Sequence, residues 1–172
     1  MSTWSGIKAK LEKDYLAPSL RGHITYFATS YSRCPDHEGR AAILYDGEEI
    51  LKSNYFDYML SQDKNWEQIK KNQESESEFS QKWRKSFEMA LNEGEFDNHC
   101  FYNAFDEFDN QSIEKSLKSE NPLVRLFAIL DRRVGKRTLI KITENFENEL
   151  EWLKGFYIMR CGAEEIRIDI GP

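Results

Sequence analysis

No apolar run in this 172-residue chain approaches the roughly 20 residues that a membrane-spanning helix needs. That excludes a spanning helix of the usual kind. Cysteine is scarce: Cys34, Cys100 and Cys161 are odd in number and far apart, which gives no disulfide framework. A reduced, cytoplasmic protein is the expected setting. The first residues, Met-Ser-Thr-Trp-Ser-Gly-Ile-Lys, have no apolar signal core and no cleavage site, which fits that setting. His23, His37 and His99 are the only histidines, so general-base candidates are few. Glycine-rich phosphate loops are missing too. Gly135-Lys136 is followed by Arg137 instead of Ser or Thr, and the earlier glycine of a P-loop falls on Leu130. There is no G-x-S-x-G nucleophile elbow and no dinucleotide fingerprint. Cations are outnumbered, 24 Lys and Arg against 30 Asp and Glu, for a net charge of −6. Such a surface repels phosphate backbones and anionic lipid, which argues against nucleic-acid and membrane partners.

What is present is enough for one core. Hydrophobic residues make up 40% of the chain and aromatics 13%, so global disorder is excluded. Residues 1–172 read as a single domain. Residues 1–60 form a helix and a small sheet, 61–78 a polar connector, and 79–172 a mainly helical part. The expected fold class is therefore α+β. Trp4, Ile7, Leu11 and Tyr15 share a helical face, opened by Ser2 or Thr3 and closed by Pro18 and Gly22. His23 to Ser32 reads as a strand. Ala41–Tyr45 and Glu48–Leu51 flank Asp46-Gly47, a dipeptide that favours a type I′ hairpin turn. Ser61 to Ser80 is polar, anchored by Trp66 and Ile69, and predicts a partly exposed helix running into the connector.

Phe79, Trp83, Phe87, Ala90 and Leu91 restore a helical stripe, which Gly94 stops. Asp97 caps a helix carrying Phe101, Ala104, Phe105 and Phe108, and Ser112 opens a short one. Asn121-Pro122 is a strong helix start, with a buried face of Leu123, Leu126, Phe127, Leu130 and Val134. A break or bend is expected at Gly135. Leu139, Ile140 and Ile142 continue into a second piece. Trp152, Leu153, Phe156, Tyr157 and Met159 anchor a final helix, although Tyr157-Ile158-Met159 also suits a strand. Ile166, Ile168 and Ile170 alternate with charges, as in an edge strand or an ordered tail.

Several blocks together resemble an uncharacterised family of small bacterial proteins. They are Trp4-x-x-Ile7-Lys8, Gly39-Arg40-Ala41-Ala42-Ile43 leading to Asp46-Gly47, and Asn121-Pro122 through Asp131-Arg132-Arg133-Val134-Gly135-Lys136-Arg137. The last is Phe156-Tyr157 with Arg160-Cys161 and Ala163-Glu164. The resemblance implies one folded unit spanning both ends and no particular activity.

Two candidate sites and one acidic surface remain. Arg132, Arg133, Lys136 and Arg137 sit at a helix junction, where guanidinium forks suit phosphate or carboxylate oxygens. Their simpler role is pairing with Asp131 and other acids of the chain. Cys34, His37, His99 and Cys100, with Cys161 as a fifth donor, are of zinc-binding type. Adjacent His99 and Cys100 cannot point the same way from regular structure, so separate loop and core roles are expected, and no cofactor is implied. Glu93, Glu95, Asp97, Asp106, Glu107 and Asp109 form an acidic stretch, either a solvated face or a decoy for a basic partner. The expected function is a cytosolic, non-catalytic interaction protein of the immunity or antitoxin kind. The alternative is an anion- or RNA-binding domain or enzyme that uses the basic cluster. Oligomeric state is not encoded in any pattern found.

Overall fold

The computed structural model describes residues 3–70, 76–142 and 147–168. The first helix, α1 (Trp4–Ala9), is capped by Thr3, whose hydroxyl accepts the Gly6 N–H. It runs on into a wider π turn over Lys10–Tyr15. Ile7 and Leu11 are buried and Trp4 and Tyr15 half-buried, so the stripe read from sequence faces the core. Residues 15–17 then straighten beside residues 130–132. Arg132 N–H donates to the Tyr15 carbonyl at 2.7 Å and Ala17 N–H to the Leu130 carbonyl at 2.9 Å.

Three antiparallel strands follow in the order β1 (Ile24–Ser30), β2 (Gly39–Tyr45) and β3 (Glu48–Asn54). Asp46 and Gly47 both have positive φ, 49° and 86°, as a type I′ turn requires. Gly39 is glycine for another reason: a Cβ there would lie 1.9 Å from the Thr29 carbonyl oxygen on the paired strand. Tyr26, Ala28, Ala41, Ile43 and Leu51 alternate onto the core face.

Helices α2 (Tyr55–Ile69) and α3 (Glu76–Asn92) form a hairpin. In the polar segment 61–78, residues 61–69 are helical, as the expected partly exposed helix, 76–78 open α3, and 71–75 lie outside the described residues. Apolar spacing marked both helices but not their pairing, because polar groups bind their facing sides. Gln62 donates to Ser86 at 2.9 Å, Asn65 to Ser61 at 3.3 Å, and Ser61 to Glu93 at 2.7 Å. Trp66, Phe79, Trp83 and Phe87 add a ladder of ring contacts, with centroids 5.1–6.0 Å apart.

The remaining helices are α4 (Asn98–Asp109), α5 (Ile113–Ser116), α6 (Pro122–Leu130), α7 (Lys136–Ile142) and α8 (Glu151–Ala163). Helix α6 is the hub. Every residue in it except Arg125 is buried, and α4, α5 and α8 pack around it. Its apolar residues are spread all round, not confined to one stripe, as suits a central helix. It ends at Leu130, earlier than the expected break or bend at Gly135. Asp131 turns extended to bridge Leu16, and Gly135 instead begins α7 by accepting the Thr138 and Leu139 N–H groups. Tyr157–Met159 is helical. Ile166 and Ile168 pack on the core without forming a strand, and Ile170 lies outside the described residues. The fold class is α+β, with one small antiparallel sheet and a larger helical part.

Candidate functional site

The basic cluster divides in two. Asp131 is wholly buried, and its carboxylate accepts the Arg133 backbone N–H at 2.6 Å and the Arg133 guanidinium at 2.7–3.1 Å. That guanidinium lies 4.8 Å from the Tyr15 ring centroid and 5.3 Å from that of Phe108. Tyr15 donates its hydroxyl to Asp109 at 2.5 Å, and Lys10 donates to the same carboxylate at 2.7 Å. The Arg133 guanidinium is held further into its charged form, chiefly by the hydrogen bonds it donates to Asp131. The chain Asp131–Arg133–Tyr15–Asp109–Lys10 thus ties the α6–α7 junction to the first helix and to α4. This is fold construction. Arg132, Lys136 and Arg137 are exposed and pair with no acid among the described residues.

Asp109 gives the network a pH dependence. Burial raises its carboxyl, but hydrogen bonds from Lys10 and Tyr15 and the charges of Lys10 and Arg133 outweigh that and hold it below the ordinary carboxylate range. A carboxyl lowered in the folded state contributes stability in full above its unfolded pKa of about 4. That contribution is lost as pH falls through the folded value. Thermal melts from pH 7 to pH 3 should therefore drop less steeply below about pH 4 for Asp109→Asn than for the wild type. Parallel curves would remove Asp109 from the acid response.

The zinc-type donors do not assemble. Asp36 and His37 both adopt left-handed backbone, φ 54° and 57°. This turn brings the Asp36 carbonyl to His99 Nε2 at 2.8 Å and the His37 carbonyl to Asn98 Nδ2 at 3.0 Å. Backbone carbonyls therefore meet α4 where side-chain ligands would be needed. Cys100 points to Tyr58 and Asp97, and burial together with the Asp97 charge pushes its thiol up to about 12. Burial also raises the Cys161 thiol. Neither is a thiolate at neutral pH, so neither is a ready nucleophile or metal ligand. Among the described residues, no group of three His, Cys, Asp or Glu side chains is placed to hold a metal ion. The base-like pair of His23 Nδ1 and Asp46, 2.7 Å apart, lies exposed beside the hairpin turn. The ring stacks on Tyr45 and has no other hydrogen bond among the described residues.

The acidic stretch also sorts by role. Asp97 caps α4 by accepting the Cys100 N–H at 2.7 Å. Glu93 accepts Ser61 and Glu95 accepts Ser53, while Asp109 is bound as above. Glu107 accepts the Ser119 hydroxyl at 2.5 Å and Asp106 the Asn110 amide at 3.3 Å, yet both stay exposed on the outer side of α4 and meet no cation among the described residues. Each borders a cleft. On one side, Glu88, Asn92, Glu107, Ser119, Glu120 and Asn121 line a cleft of about 700 Å³ between α3, α4 and the start of α6. Glu88, Glu107 and Glu120 are exposed and meet no cation among the described residues. On the other side, Trp4, His99, Tyr102, Asn103, Phe105 and Asp106 line a cleft of about 460 Å³ between α1 and α4. The basic residues line neither.

A family model matches residues 3–161. The chain belongs to the SF0329 protein family. No curated protein and no solved structure matches it. The family match reaches from the start of α1 into α8 and assigns no chemistry to any residue. No helix among the described residues is long and apolar enough to cross a membrane. Glu88 and Glu120 escaped the sequence reading because they stand 32 residues apart on different elements. The cluster of Asp106 and Glu107 was the one local signal for this face.

Proposed function

We propose that this SF0329-family protein is a cytoplasmic, non-catalytic binding protein that takes a basic protein partner on the outer face of α4. The observation that carries this reading is the cleft walled by Glu88, Glu107 and Glu120, three carboxylates that meet no cation among the described residues. At several other points the fold sets acid against base, as at Asp131–Arg133, Asp109–Lys10 and Arg125–Glu149. Unmatched carboxylates around a concavity raise the local negative potential, which accelerates encounter with a cationic surface and orients it. A net charge of −6 acts in the same direction. The protonated thiols of Cys100 and Cys161 fit a role without nucleophilic catalysis. Sequestering a basic protein is what an immunity protein or antitoxin does, and this is the class of function we infer.

Affinity capture with the intact chain from its native host tests the reading. It should recover one stoichiometric partner of high isoelectric point, released by moderate salt. Recovery of no stoichiometric partner, or of an acidic one held through high salt, contradicts it.

The second reading is anion or RNA binding, and it retains Arg132, Lys136 and Arg137, which are exposed and pair with no acid among the described residues. Arg133, the one member of the cluster bound to a buried acid, no longer supports it.

A further inference from the structure

We propose that the cleft between α1 and α4 is a receptor for an arginine side chain of the partner protein. The inference deepens the reading above and rests on it for the identity of the bearer, although not for the chemistry of the cleft. Its walls combine two kinds of group that one ligand class uses together. Aromatic rings of Trp4, Tyr102, His99 and Phe105 border the space, and the Asp106 carboxylate stands at its edge. Ring faces attract cations, and a planar guanidinium stacks on them better than a compact ammonium does. A carboxylate then accepts the guanidinium fork through two parallel hydrogen bonds.

The rings are held in place. Trp4 lies 6.0 Å from Tyr102 and 6.2 Å from Phe101, centroid to centroid, and His99 lies 6.5 Å from Tyr102. The His99 imidazole is anchored by the Asp36 carbonyl. Asp106, by contrast, has no cation among the described residues; its carboxylate receives only the Asn110 amide, at 3.3 Å.

One cation is already nearby, Lys10, whose ammonium lies 5.9 Å from the Phe105 centroid. Asp109 neutralises it at 2.7 Å. One lysine therefore stands against Asp106, Glu107 and Asp109, and the vicinity remains negative. Asp106 and Glu107 are consecutive on α4, so an arginine seated here would lie beside a second basic side chain in the larger acidic cleft. The spacing suits a short basic segment of a protein laid across α4.

The test uses nitrogen-15-labelled full-length protein and small probes, so that it needs no identified partner. Trp4→Phe assigns the Trp4 indole N–H signal by its disappearance. N-acetyl-arginine methylamide should shift that signal in a saturable way and leave the Trp66, Trp83 and Trp152 indoles in place. The neutral isostere N-acetyl-citrulline methylamide should not shift it. Asp106→Asn, a change at an exposed position, should weaken the arginine probe by about tenfold or more. Free arginine should bind more weakly than the capped probe, because its own carboxylate meets the acidic face of α4. Equal binding of citrulline, an unaffected Asp106→Asn variant, or no shift at Trp4 would each overturn the cleft's assignment. Tighter binding of free arginine would make the occupant an amino acid and overturn the protein-borne one. A failure here leaves the Glu88–Glu107–Glu120 cleft standing, whereas a failed capture experiment leaves the probe result standing.

Discussion

Leu130→Ala should destabilise the protein by about 2–5 kcal/mol. Leu130 is 1% exposed and ends α6, the helix on which α4, α5 and α8 all pack. Truncation there removes buried methyl groups and leaves a cavity among elements held from several sides, so little collapse can fill it. For a chain of this size the melting temperature should fall by roughly 5–15 °C. The change leaves the backbone hydrogen bond from Ala17 to the Leu130 carbonyl available, so the loss reports packing. A variant melting like the wild type would mean that α6 is not the centre of the core.

The second large effect is expected at Asp131. Its carboxylate is wholly buried and serves both the backbone N–H and the guanidinium of Arg133. Asp131→Ala leaves that N–H without its acceptor and the guanidinium without its partner. A loss of about 3–5 kcal/mol follows from breaking a buried pair. Arg133→Ala should also destabilise, because it leaves a buried carboxylate whose remaining bond is a backbone N–H. Arg133→Ala strands a wholly buried carboxylate, whereas the guanidinium stranded by Asp131→Ala is 38% exposed and open to water, so Arg133→Ala should cost at least as much. The double variant should be more stable than the sum of the two losses predicts, since each single change strands a charge that the double change does not. Additive losses in denaturant titrations would show that the two side chains act separately.

Much of the architecture was legible because local chemistry fixed it. Asn121-Pro122, Asp97 and the Asp46-Gly47 turn act on their own neighbours, and each did what its residue types require. The role of Asp131 was legible for the same reason, since its partner is two residues away. The α2–α3 hairpin was not, because Gln62, Asn65, Ser61 and Ser86 hold its interior and apolar periodicity reports only apolar interiors. The end of α6 was misplaced because Leu16, more than 100 residues earlier, draws Asp131 out of the helix. The acidic cleft was half legible. Asp106 and Glu107 announced a charged helix face, but Glu88 and Glu120 reach it only through the packing of α3 and α6.

The central claim is that the α4 face, and not the basic cluster, makes the contact that matters. Three baits of the full-length chain decide it in one affinity capture from the native host: the wild type, Glu88→Lys/Glu107→Lys/Glu120→Lys, and Arg132→Glu/Lys136→Glu/Arg137→Glu. All six positions are exposed, so both variants should fold. The account predicts that the wild type and the second variant retain the same basic protein in stoichiometric amount, and that the acidic-face variant loses it. Loss of the bound species from the second variant alone, above all if that species is RNA, would contradict it.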